Sequence, residues 1–310
     1  MIVTFTANPS LDRTAELDAL VRGEVLRTSP ARVDAGGKGV NVTRALHANG
    51  IASVAVLPSG GFEGQQLAGL LAAEGLHTKT VPIAGRIRAN ITIAEADGTT
   101  TKLNEPGPLL AEAEVAALGE ALVQTASGSA WVVLAGSLPP GAPDDLYAEL
   151  TERLHHIGAR VAVDAEGPLL RATLAAGPDV IKPNDEELAD ATGLPVETPQ
   201  DAVAAARVLQ EHGARTVLAS LGARGAVLVE ETGAHHASAL VRRPRSTVGA
   251  GDATLAGFLS VGAVGPDALM TAVAWGAAAV SLPGSRMPSP ADLDPAAVRL
   301  VALDSEEVPK

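Results

Sequence analysis

Trp131–Ala135 (WVVLA), Arg160–Asp164 (RVAVD), Asp179–Lys182 (DVIK) and Thr216–Ser220 (TVLAS) are short, β-rich runs without polar alternation. The first three lead into amphipathic stretches of helical period, at Pro143–His155, Leu169–Ala175 and Asp185–Ala191, and the fourth follows one at Gln200–His212. Ser53–Pro58 (SVAVLP) gives way to Gln65–Ala73 in the same manner. A strand that lacks a polar side is covered on both faces, and strand–helix–strand repeats return the chain to the same end of a sheet. The pattern therefore predicts a mostly parallel central sheet flanked by helices. Ligands of such sheets gather at the carboxyl ends of the strands. Those ends carry Gly136-Ser137, Asp164, Lys182-Pro183-Asn184 and Ser220-Leu221-Gly222.

One region departs from this rhythm. Asn90–Glu95 (NITIAE) and Thr99–Leu103 (TTTKL) flank Asp97-Gly98, a hairpin turn signal. With Asp12–Glu16 and Arg32–Asp34 they predict a small sheet standing off the main one, a lid whose strands come from about 10–35 and 88–104. No repeat or Pro/Gly-rich linker marks a boundary, so residues 1–310 are expected to form a single domain.

The composition narrows the function. At 310 residues, 46% hydrophobic and 19% charged, the chain is long and apolar enough for a full α/β core. A net charge of −13 argues against nucleic acid, which needs a broad basic face, but leaves room for an anionic metabolite held by a few cations in a cleft. The absence of cysteine removes disulfides, thiolate nucleophiles and Cys-ligated metals. Aromatic residues total 2%, too few for base-stacking platforms. Residues 1–10 read as a strand rather than a signal peptide, and Ala268–Val280 is too short to span a bilayer. A cytoplasmic protein without membrane contact is expected, its Asn41 and Asn90 sequons carrying no glycan.

Two glycine-rich helix entries carry the chemistry. In Thr247-Val-Gly249-Ala250-Gly251-Asp252-Ala-Thr254, residues without bulk expose backbone N–H groups at the positive end of a helix, which makes an anion pocket. Asp252 reads there either as a helix cap or as a base that deprotonates an attacking hydroxyl. In Asp34-Ala-Gly36-Gly37-Lys38-Gly39-Val-Asn41, three glycines permit close backbone approach to a ligand, with an ammonium and an amide alongside. Alone, that motif also reads as a turn with a solvated lysine. Neither a P-loop nor a GxGxxG fingerprint is present. The adjacent pairs His155-His156 and His235-His236 lack metal-ligand spacing, and Trp131 and Trp275 are expected in the core.

With Asn8-Pro9-Ser10-Leu11-Asp12, these motifs make the chain resemble the ribokinase-like carbohydrate kinases of the phosphofructokinase-B family over essentially its whole length. Lys182-Pro183-Asn184-Asp185-Glu186-Glu187 matches that family's Asn-x-x-Glu element, and Gly136-Ser137-Leu138-Pro139-Pro140-Gly141 also fits. Thr101–Gly107 and Trp275–Ala279 make it most similar to the bacterial 1-phosphofructokinases, with tagatose-6-phosphate kinases and the minor 6-phosphofructokinase close by. The resemblance implies a ribokinase-like α/β fold with a small β-sheet lid, ATP and Mg²⁺ as cofactors, and a homodimer joined through the lid.

It also implies roles. Asp252 would be the general base, and the N–H groups of Gly249, Ala250 and Gly251 would hold the transferring phosphoryl group. Asp12 and Asn41 would bind sugar hydroxyls beside Gly37. Lys38, Arg88 and Lys102 would hold a phosphate already on the sugar, with Ser137 nearby. Asn184 and Glu187 would organise Mg²⁺ through water, while Lys182, Ser220 and Gly222 would line the nucleotide site. Two positions depart from relatives, Asp164-Ala165-Glu166-Gly167 and Leu26. The expectation is an ATP-dependent hexose-phosphate kinase acting on D-fructose 1-phosphate to give fructose 1,6-bisphosphate. Its alternatives are a tagatose-6-phosphate or 6-phosphofructokinase, or a sugar-phosphate sensor without turnover.

Overall fold

The apolar runs named above become neighbouring strands of one sheet. The computed structural model describes residues 1–303; the end of the expected 1–310 domain, 304–310, lies outside the described residues. The N-terminal third contributes β1 (Ile2–Phe5), β2 (Ser10–Leu17), β3 (Arg32–Gly36), α1 (Lys38–Ala48), β4 (Ser53–Ser59), α2 (Gly61–Ala73), β5 (Thr78–Pro82), β6 (Arg88–Glu95) and β7 (Thr100–Asn104). The middle adds α3 (Glu112–Ala126), β8 (Trp131–Ala135), α4 (Leu146–His156), β9 (Arg160–Asp164), α5 (Gly167–Leu174), β10 (Val180–Ile181), α6 (Asp185–Thr192), α7 (Pro199–Glu211) and β11 (Thr216–Ser220). Then come β12 (Ala226–Glu230), β13 (Gly233–Ala239), α8 (Ala250–Ser260), α9 (Gly265–Val280) and β14 (Val298–Ala302).

Among the described residues the larger sheet runs β14-β13-β12-β11-β10-β9-β8-β1-β4-β5. From β5 to β11 every pairing is parallel, and β12, β13 and β14 extend the sheet antiparallel. Side chains alternate between the two faces, and each face has its own core. Val132, Leu134, Val161 and Val163 pack with residues of α2, α3, α4, α5 and α7, while Trp131, Val133 and Ala162 pack with α1, α8 and α9. Most of this core is aliphatic. Phe5 and Tyr147 meet edge to face at 6.3 Å, and Trp131 and Trp275 are buried as expected. No described helix is long and apolar enough to cross a membrane.

The helix after the 36–39 glycines starts at Lys38, so its first turn contains Lys38 and Gly39. The helix after Gly249 starts at Ala250, which puts Asp252 inside the first turn, as expected. One helix starts later than expected. Pro143 opens a turn, with Leu146 N–H bonded to its carbonyl at 3.0 Å, and α4 begins only at Leu146.

The small sheet is ordered β3-β2-β6-β7. Its register places Asp12 beside Asp34 and Asn90, and Thr14 beside Arg32 and Thr92, with Lys102 opposite Thr92. Strand alternation then puts Ser10, Asp12, Arg88, Asn90 and Lys102 on one face, and Ala15, Val33, Ile91, Ile93 and Leu103 on the other. The sheet is polar toward the site, and its far side is mostly apolar, with the exposed Arg13 between Val33 and Ile91.

Candidate active site

The start of α8 shows that Asp252 does not cap its helix. Gly249 takes φ +77, a left-handed conformation natural to glycine, and no side chain caps the helix. Asp252 turns away from its own backbone: Asn41 Nδ2, from α1, donates to Asp252 Oδ2 at 2.8 Å. The carboxylate is 7% exposed. Burial first, and the nearby Asp164 second, push its pKa up to about 6, against the pull of Asn41, Lys182 and Lys38. A carboxylate held there by a hydrogen bond, poised near neutrality and beside helix N–H groups, is equipped to accept a proton. Of those N–H groups, Ala250 is already bonded to Thr247 O, at a long 3.3 Å. The tight approach of chain segments also explains the glycines of the other motif. A Cβ on Gly36 would overlap the Asp12 carboxylate and the Ser10 hydroxyl, and one on Gly37 would lie 2.7 Å from Thr6 Cγ2. The fold itself requires them, before any ligand does.

Asp164, at the carboxyl end of β9, is fully buried between two lysines. Lys38 Nζ lies 2.8 Å from its Oδ1 and Lys182 Nζ 3.0 Å from its Oδ2. Burial works to raise the Asp164 pKa, but Lys182 and Lys38 outweigh it and hold the group ionised. Burial likewise works to lower the pKa of Lys38; Asp164 and Glu187 overcome it and drive it above the ordinary lysine value. Lys38 is thus tied to Asp164 and Glu187, whereas Arg88 lines a separate cavity and Lys102 stands on β7. Lys38 faces the cavity that Lys182, Asn184 and Glu187 line, 3.6 Å from Glu187 Oε1.

That cavity, of about 730 Å³, has a polar end at Lys38, Asp164, Lys182 and Asp252, and an apolar end at Ala226, Leu240, Val273 and Val280. Such a volume is of the size that takes a nucleotide-like ligand. Ser220 lines it beside Asn184, to which it is bridged, and Gly222 lies exposed in the following turn. Asn184 and Glu187 form a reciprocal helix cap: Glu187 N–H donates to Asn184 Oδ1 at 2.7 Å, and Asn184 N–H to Glu187 Oε2 at 2.9 Å. Glu187 Oε1, outside the cap, has Lys38 Nζ 3.6 Å away. Among the described residues no three His, Asp or Glu side chains converge as metal ligands. A cation carried on phosphates would find Glu187 Oε1 able to hold one of its waters.

On the small-sheet side, Asp12 Oδ1 accepts from Ser10 Oγ at 2.7 Å and from Asn90 Nδ2 at 3.0 Å. Arg88 is half-buried, and its Nη1 donates to Glu105 O at 3.1 Å while its buried Nε meets no acceptor among the described residues. Burial lowers its pKa and only Asp12 opposes this. A cation so placed has room for an anion. Arg88, Asn8 and Ser137 line a second cavity of about 540 Å³, and Asn8 Nδ2 reaches Ser137 Oγ at 3.4 Å. Lys102 stands exposed on β7, with no side-chain partner among the described residues. Asn41 serves Asp252 first, and its buried Oδ1 has no partner among the described residues, free for a hydroxyl. Glu166 occupies the N-cap position of α5, exposed and without a capping bond.

Sequence reasoning gave Asp164 no role and passed over Asn90. Both depend on partners far along the chain, and only strand register exposes the pairing of Asn90 with Asp12. The histidine pairs are structural: His155 Nε2 contacts Asp179 at 2.9 Å and His236 Nε2 the Arg224 carbonyl at 2.7 Å.

Comparison with known proteins agrees with this layout. The model of the pfkB family carbohydrate kinases matches residues 6–292. A 1-phosphofructokinase of Haloferax volcanii is 40% identical, covering 94% of this chain and 95% of its own length. The ATP-dependent 6-phosphofructokinase isozyme 2 of Escherichia coli is 33% identical over 92% of this chain and 94% of its own. The crystal structure of phosphofructokinase-2 from Escherichia coli in complex with potassium superposes with a TM-score of 0.88 at 32% identity, covering 94% of this chain and 96% of that one.

Proposed function

Since this chain belongs to the pfkB family of carbohydrate kinases, and so transfers phosphate from ATP to an alcohol, we propose that its acceptor is D-fructose 1-phosphate and its product fructose 1,6-bisphosphate. The observation that carries a phosphorylated acceptor is Arg88, a half-buried guanidinium with an unpartnered Nε in a cavity apart from Lys38 and Lys182. An unphosphorylated sugar has no use for that charge. The greater identity to a 1-phosphofructokinase favours the 1-phosphate, and the 33% identity to a 6-phosphofructokinase keeps fructose 6-phosphate as the second reading.

In this reading Asp12 and Asn41 Oδ1 hold sugar hydroxyls, and Arg88, with Lys102 and Ser137 near it, holds the existing phosphate. Asp252 takes the proton from the acceptor hydroxyl as its oxygen bonds to the γ-phosphorus. The bond from that phosphorus to the bridging oxygen breaks, and ADP leaves. The N–H groups at Gly249, Ala250 and Gly251 stabilise charge on the moving phosphoryl group, while Lys38 and Lys182 serve the nucleotide's phosphates. A bound Mg²⁺ supplies further neutralisation of the phosphates, and Glu187 Oε1 would hold its water shell. Two copies join through the apolar outer face of the small sheet, which acts as a lid over the sugar.

The test is ADP release over a panel of hexoses and hexose monophosphates. Fructose 1-phosphate is expected to give the highest kcat/KM. Arg88→Gln should raise its KM by about 10- to 150-fold, the worth of a charge-assisted contact, while slow turnover of free fructose stays unchanged. Lys38→Met, by contrast, should lower kcat for both sugars alike. If Arg88→Gln harms free fructose as much as its 1-phosphate, the assignment of Arg88 to the sugar's phosphate is wrong.

A further inference from the structure

The edge strand of the small sheet is tied to the anion pocket by a route that the chemistry above does not use. Arg32, on β3, donates from Nε to Asp34 Oδ2 at 2.7 Å, and Asp34 pairs in register with Asp12. An ion pair between residues two apart on an exposed strand is worth little by itself. The guanidinium, however, reaches a segment some 250 residues later. It lies on Gly284, so that a Cβ there would overlap it and come within 2.8 Å of Cζ. Gly284 has φ +62 and belongs to the loop that follows α9, residues 282–289.

This loop is fastened on its other side. Arg44 Nη1 donates to Ser285 O at 3.2 Å and Asn49 Nδ2 to Pro288 O at 2.9 Å, from the helix that carries Asn41 and from its C-cap. Its Met287 is buried, with Cε only 2.6 Å from where a Cβ on Gly249 would stand. Gly249 is the residue that opens α8 and its N–H groups. The same loop thus touches the strand beside Asp12 and the backbone expected to hold the transferring phosphoryl group.

We propose that Arg32 is a positioning residue for phosphoryl transfer. Its flat contact on Gly284 sets the 282–289 loop, and through Met287 the Gly249 end of the anion pocket, in register with the small sheet that carries Asp12. The sugar's hydroxyl and the pocket that holds the transferring phosphoryl group are then aligned by one connected piece of structure. The argument rests on the kinase reading for its kinetic consequence alone; the contact itself is tested without turnover.

Arg32→Ala should lower kcat by roughly ten- to a hundredfold, the cost of a small misplacement of reacting groups. The dissociation constant of the sugar phosphate, measured without nucleotide, should change far less. Amide hydrogen exchange over 282–289 should accelerate in the same variant with no ligand present. Gly284→Ala is strained by its φ of +62 in either background, but should cost more kcat when Arg32 is present than on the Arg32→Ala background, because there it also displaces the guanidinium. Arg32→Lys keeps the charge beside Asp34 without the planar surface and should not restore kcat. The proposal is overturned if Arg32→Ala leaves both kcat and the exchange of 282–289 unchanged, if Gly284→Ala costs the same in both backgrounds, or if lysine restores full activity. Should no hexose monophosphate be turned over, the kinase reading fails, and the exchange comparison alone still decides whether Arg32 holds the loop.

Discussion

At the scale of single residues, Asp252 shows how a charge is prepared by what surrounds it. Its carboxylate is hidden from water and faces a second buried carboxylate, so its proton is held up to about pH 6. The base form is present above that value, and kcat/KM should therefore fall as pH drops through it. Asn41 donates the hydrogen bond that favours the ionised form, so Asn41→Ala should move the acid limb to higher pH. The acceptor's own phosphate titrates near pH 6, but equally for both enzymes, so the displacement reports on Asp252. An acid limb that stays in place would remove Asp252 from the role of base. The sequence showed an aspartate in the first turn of a helix, a position equally natural for a cap. Only the direction of its side chain, toward an amide 211 positions earlier, removes the cap reading. Lys38 is the opposite case. Its motif was legible, but its partner Asp164, 126 residues away, was not, and that partner turns it toward the cavity that Lys182 and Asn184 line.

At the scale of elements, the central strands were readable because they are apolar throughout, as a strand covered on both faces must be. Thr78–Pro82 (TKTVP) and Gly233–Ala239 (GAHHASA) were missed because, near or at the sheet's edges, they keep polar or alanine positions. The hairpin at Asp97-Gly98 was legible from its turn, and its strands belong to the small sheet as expected. Ser10, Asp12, Arg88 and Asn90 share the face turned to the site, so a bound sugar phosphate would tie β2 to β6. Hydrogen exchange over 88–104 should slow when fructose 1-phosphate saturates the protein, by ordering of these strands. Unchanged exchange there, with ligand binding shown independently, would mean that the small sheet is a fixed platform and not a lid.

At the scale of the whole molecule, the outer face of that sheet leaves Ile91 and Leu103 40% and 54% exposed. A water-facing apolar strip on a four-stranded sheet is costly in a lone chain and natural between two. Sedimentation should find wild-type protein dimeric and the Ile91→Lys, Leu103→Lys pair monomeric; a wild type that sediments as a monomer at micromolar concentration refutes this assembly. The order of the large sheet has a different consequence. The first strand of this chain, β1, lies in its interior, between β4 and β8, and its second neighbour ends only at Ala135. During synthesis one side of β1 therefore waits, unpaired, for more than a hundred residues, and closing so long a loop is slow. The residues of the proposed site are divided in the same way, Asp12, Lys38 and Asn41 early and Asp164, Lys182 and Asp252 late. Neither half of a nascent chain holds a working pocket, and a chain that stops early exposes the edge of β1 as a template for misfolding.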